Sequence, residues 1–253
     1  MFRSKAKRRR QIREYSFPED WKRFLTQNVP LVRRLSAEDR DELYGHIQVL
    51  LAEKHFEGAG GLELSDEIKL VVCAQASILL LHRETDYYPK LISILIYPGP
   101  YAARHPVRDP RGVVSNVLET RAGESWTSGT LILSWENVQR DLMATGRAEN
   151  VVLHEFAHQL DAGSGAMNGA PILSERELQK VWPEALRRAF ERLEAATQAH
   201  ERSVLRPYGA KNPSEFFAVS TEAFFMQPRI LKQHEPELYG ALCQYYKQDP
   251  ADR

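Results

Sequence analysis

The segment His154-Glu155-Phe156-Ala157-His158 constrains this chain more than any other, because it sets two imidazoles and a carboxylate inside the otherwise apolar stretch 151–160. At 3.6 residues per turn, positions four apart share one helix face. Both His side chains therefore reach a single metal ion, with Glu155 beside them as a base. Asn150 supplies an N-cap, and Val152, Phe156 and Leu160 form the stripe that docks such a helix on a core. The competing reading is a structural helix that carries the pattern by chance. It leaves three buried polar groups unsatisfied, which is costly.

The 253 residues are enough for one large domain with a substantial core. Lys and Arg total 34, as do Asp and Glu, so the balanced charge gives no reason to expect nucleic acid or an acidic membrane as the main partner. Arg3, Lys5, Lys7, Arg8, Arg9, Arg10 and Arg13 nevertheless crowd the start, with no apolar run behind them to make a signal peptide. Residues 1–16 are expected to be a solvated, disordered basic arm, the lesser reading being weak binding to phosphate or a lipid surface. Residues 17–253 are then a single domain, with a helical part over about 17–90 and a catalytic part over about 91–253. No stretch of about eighteen apolar residues suggests a membrane span. Cys73 and Cys243 form no disulfide framework, which fits a reduced, cytoplasmic chain.

Periodicity predicts helices over 17–27, from Ser36 to about Lys54, and from Ser65 through the apolar stretch 70–81. Residues 92–97, 113–120 and 130–135 read as strands, 136–143 as helix, and the metal helix follows Gly146. Helices, a small sheet, then helices again indicate an α+β domain. Residues 130–135 could present an exposed sheet edge to an extended peptide, or could be an interior strand whose Leu131 and Leu133 face the core.

A catalytic zinc keeps three protein ligands and one open position. Asp161, less than one turn beyond His158, suits a partner for a His N–H better than a ligand. Glu215 and Glu222 share a helix face. Asn212, Pro213 and Glu215 resemble a capping box, whereas Glu222 lies between two Phe-rich segments where an unpaired carboxylate is expensive. Spacing alone does not rank these two.

The chain resembles the Mlc titration factor A family of cytoplasmic bacterial zinc peptidases, a gluzincin-type group with a mostly helical zincin-like domain and a small mixed sheet beside the metal helix. The likeness spans nearly everything from Phe17 to Pro250. It is carried by Phe56-Glu57-Gly58, Gly61-Leu62-Glu63-Leu64, Ile96-Tyr97-Pro98, Gly123-Glu124-Ser125-Trp126, the 154–161 segment and Asn212-Pro213-Ser214-Glu215-Phe216-Phe217-Ala218-Val219. The resemblance implies Glu215 as third ligand beside His154 and His158, with Glu222 supporting from behind. It also implies a preference for short peptides, aminopeptidase-like cleavage and a transcriptional repressor as a partner. Some members carry a His in the segment matching 112–115, where this chain has Ser115.

The expected mechanism is attack by a water on one zinc ion per chain, with Glu155 as general base and acid, and Tyr208 as candidate donor to the developing oxyanion. The alternatives are a regulatory protein that binds a transcription factor and keeps a latent peptidase site, and a structural zinc protein. The last lacks a fourth Cys or His at suitable spacing.

Overall fold

The computed structural model describes residues 2–108, 114–121, 123–125, 129–144 and 146–253. Four helices open the chain: α1 (Phe2–Arg13), α2 (Glu19–Asn28), the single-turn α3 (Pro30–Arg33) and α4 (Ala37–Glu53). Strand β1 (His55–Gly58) and helix α5 (Asp66–Ile78) lead to β2 (Ser93–Tyr97), β3 (Tyr101–Arg108), β4 (Val114–Arg121), β5 (Gly123–Ser125) and β6 (Thr130–Ser134). The remainder is helical: α6 (Trp135–Met143), α7 (Val151–Ala162), α8 (Arg176–Gln198), α9 (Pro213–Met226), α10 (Pro228–His234) and α11 (Pro236–Tyr246). This is the mostly helical α+β architecture that the sequence predicts.

The helix starts follow local chemistry. Ser36 and Ser65 accept from the Asp39 and Ile68 N–H groups, which caps α4 and α5. Leu79, Leu80 and Leu81 lie beyond the end of α5, yet they remain buried because the whole stretch faces the core.

The main sheet runs β1-β2-β6-β5. The first three strands are parallel, and β5 is antiparallel to β6, with Gly123 opposite Leu133. Of the two readings for 130–135, the interior strand is the one observed: β6 is paired on both sides, and Leu131 and Leu133 are buried. The edge position next to it belongs to β5. Strand β4 does not join this sheet but pairs with β3 in a separate hairpin. Two strands escape the sequence reading. β1 is only four residues long, and β3 carries Pro106 without an alternating pattern.

The basic start of the chain differs from the expected disordered arm: it forms α1, which packs against α4. The reason is Arg9, whose guanidinium donates to Glu53 at 2.9 and 2.8 Å, donates also to the Asp86 carboxylate, and stacks 4.6 Å from the Tyr87 ring centroid. A bidentate, charge-assisted pair of this kind holds one face of the helix, while Lys7, Arg8 and Arg10 stay in solvent. Among the described residues no helix is long and apolar enough to cross a membrane.

His46 on α4 is 1% exposed, with Nδ1 2.9 Å from the Tyr87 hydroxyl and Nε2 3.2 Å from Glu42. Burial holds its pKa below the ordinary value, against the pull of Glu42. The neutral ring therefore contributes stability that is fully present above the unfolded pKa of ~6.5 and lost as the pH falls below it. Urea denaturation at pH 7.5 and pH 5 should show the wild type losing more stability on acidification than His46→Gln. Equal losses would remove His46 as a source of the pH dependence.

Candidate metal centre

Helix α7 is buried on nearly every side, so its polar groups must be met from within the protein. Its first turn is closed by three acceptors. Asn150 Oδ1 takes the Leu153 N–H at 3.0 Å, Glu222 takes the Asn150 N–H at 2.8 Å, and Asp141 takes the Val151 N–H at 2.8 Å. Two carboxylates at this end also oppose the positive pole of the helix dipole.

Helix α9 packs against α7 and begins at the Asn212 cap, which accepts from the Glu215 N–H at 3.0 Å. A full capping box would turn the Glu215 side chain back to its own cap. Instead, Glu215 Oε2 lies 3.1 Å from His154 Nε2 and 3.4 Å from His158 Nε2, and the two Nε2 atoms are 3.2 Å apart. Ligands at zinc–nitrogen and zinc–oxygen lengths of about 2.0–2.1 Å in a tetrahedron stand ~3.3 Å from one another. The triangle therefore has the size of one face of such a site. Among the described residues, His154, His158 and Glu215 are the group that offers three ligand atoms converging in this way.

The opposite side of each ring is also held. His154 Nδ1–H donates to Glu222 at 3.1 Å, and His158 Nδ1–H donates to Ser214 Oγ at 3.0 Å. Ser214 donates its own O–H to Asp161 at 2.8 Å, and the same Asp161 oxygen accepts from the Gly169 N–H at 2.9 Å. These partners fix the ring orientations that turn both Nε2 atoms toward the triangle. Glu222, 1% exposed, further accepts from Arg206.

The local field favours a cation. Burial alone would lower the His154 pKa, but the Glu222 and Glu215 carboxylates outweigh it and raise it to about 10. Glu215, pushed upward by burial, is held below the ordinary carboxylate range by its bonds to His154 and His158. A metal ion entering the triangle meets the Glu215 carboxylate already charged and displaces an imidazole proton. Glu155, 5% exposed and adjacent to His154, is pushed upward by burial, with the two imidazoles pulling the other way. A carboxyl whose basicity is raised in a closed setting suits proton transfer.

Tyr208 sits on the 3-10 turn Pro207–Lys211 just before α9, its ring centroid 5.9 Å from that of His154 and its face covered by Lys211 Nζ at 4.0 Å. Asp161, read from sequence as a partner for a His N–H, acts on His158 through Ser214 rather than directly. Ser115 lies in β4, but its side chain, along with residues 112, 113 and Trp126, falls outside the described residues.

The model of the glucose-regulated metallo-peptidase M90 family matches residues 3–247, basic helix included. The chain belongs to this family. An uncharacterised protein of Synechocystis is 39% identical over 245 residues, covering 96% of this M90 chain and 89% of its own length. The Mlc titration factor A proteins of Yersinia pestis and Yersinia pseudotuberculosis are each 30% identical over 229 residues, covering 89% of this chain and 84% of theirs.

Three contributors to the candidate metal site escape a reading of the sequence alone. Arg206 neutralises Glu222, Ser214 bridges His158 to Asp161, and Gly169 has φ +76° and approaches the Pro213 carbonyl so closely that a Cβ there would lie 2.4 Å from it. Only Ser214 had a sequence signal, as the residue immediately before Glu215.

Proposed function

We propose that this protein is a cytoplasmic zinc peptidase that cleaves short peptides in an aminopeptidase-like manner, with one zinc held by His154, His158 and Glu215. The observation that carries this reading is the triangle of ligand atoms at tetrahedral spacing beside the buried carboxyl of Glu155. When bound, zinc supplies a Lewis acid that acidifies a ligated water and polarises a peptide carbonyl. Glu155 takes the proton of the attacking water on a carboxylate oxygen and hands it to the departing amine. Glu222 and Ser214 keep His154 and His158 oriented through their Nδ1–H groups. The Tyr208 hydroxyl donates to the oxyanion, and the edge strand β5 takes the extended peptide by backbone hydrogen bonds.

The test combines metal and turnover. The purified chain should carry about one zinc and hydrolyse some of a panel of aminoacyl and short-peptide chromogenic substrates, with activity lost to a chelator and restored by zinc. Zinc without turnover on any substrate would favour the second reading, in which the chain binds a transcriptional repressor and its peptidase site is latent. That reading rests on the name of the Yersinia relatives.

A further inference from the structure

Helix α1, the end of α4 and the segment 86–92 line an open cavity of about 630 Å³ that shares no lining residue with the metal triangle. Four cations line it, Lys5, Arg8, Arg9 and Lys54, against two carboxylates, Glu53 and Asp86. Those two carboxylates are already committed: Arg9 binds both, and Lys5 lies 3.2 Å from Asp86. Lys54 Nζ donates to the Tyr88 and Leu91 carbonyls at 2.8 and 2.7 Å, and among the described residues neither it nor Arg8 has a carboxylate in ion-pair reach. Burial lowers the Lys54 pKa to about 8, against the pull of Glu53, so at neutral pH the half-buried ammonium is charged and has no carboxylate of its own in bonding reach. Beside these charges the lining is apolar. Pro89, Leu91 and Ile92 contribute to it, and Ile92 is 64% exposed.

We propose that this cavity binds a small amphipathic organic anion, its phosphate or carboxylate head held by Lys54 and Arg8 and its apolar body lying on Pro89 and Ile92. A head group there supplies the charge that Lys54 lacks and accepts from its remaining N–H. A body of a few carbons removes the Ile92 surface from water. An inorganic anion satisfies only the first need, and a neutral alcohol only the second.

Calorimetric titration of the full chain, both zinc-loaded and chelator-treated, with hexyl phosphate, hexanoate, inorganic phosphate and hexanol tests this directly. Hexyl phosphate and hexanoate should each fill one site, about tenfold or more tighter than inorganic phosphate, with affinity independent of chelation and no saturable binding of hexanol. Lys54→Met should weaken hexyl phosphate about tenfold or more while the zinc content stays unchanged. Should Lys54→Met fail to fold, Arg8→Gln and Ile92→Gln decide the matter, since both side chains are exposed, and each should lower the affinity. Hexyl phosphate binding no tighter than inorganic phosphate would overturn the proposal. So would variants that bind like the wild type, or an affinity that disappears with the metal, which would put the anion at the other site.

Discussion

Glu155→Gln should retain its metal and lose hydrolysis by about a thousandfold, within the range expected when a positioned general base is removed. The substitution keeps size and shape in a position that is 5% exposed, so no cavity forms. It also removes a carboxyl whose charged form burial disfavours, and the folded state should be at least as stable as the wild type at pH 7. Three readouts separate the proposed role from damage to the site: zinc per chain unchanged, melting temperature equal or higher, and turnover lost. Retained turnover would move the base to another residue. Lost zinc would mean that Glu155 helps to hold the metal, and the division of labour proposed for the segment would fail.

What the sequence discloses here is the chemistry that lies within one or two helical turns. The pair His154 and His158, the caps at Ser36, Ser65, Asn150 and Asn212, and the apolar stripe of α7 are all local consequences of periodicity and side-chain reach. Contacts made across the fold are opaque to that reading. Arg9 looks like one of seven equivalent cations until Glu53, 44 residues away, and Asp86, 77 residues away, are brought to it. Glu215 and Glu222 resist ranking for a related reason: both serve the same ring, Glu215 at His154 Nε2 and Glu222 at Nδ1. Their spacing along α9 places both at one imidazole, and only the fold shows which nitrogen each one meets.

That arrangement makes opposite demands on the two carboxylates, and substituting each separates metal affinity from stability. Glu215→Gln removes a charged oxygen from the proposed zinc triangle, and metal affinity should fall by more than about a hundredfold, beyond the cost typical of an outer partner. Its side chain is 19% exposed against 2% for Glu222, so the chelated variant should lose less stability to urea than Glu222→Gln does. Glu222→Gln acts in reverse. Glu222 is 1% exposed and accepts from the Asn150 N–H, His154 and Arg206, so a neutral amide leaves the guanidinium with Glu149, 3.9 Å away, in place of its closest charge partner beside the start of α7. Weakening charge-assisted bonds of this kind costs about 1.5–3 kcal/mol. Zinc should weaken only about 10–100-fold, through a looser His154. Competition against a chelator of known affinity reads the first quantity, and urea denaturation of the metal-free chains reads the second. If Glu222→Gln abolished zinc binding while Glu215→Gln barely changed it, Glu222 would be the third ligand and Glu215 an N-terminal helix residue that happens to lie near two imidazoles.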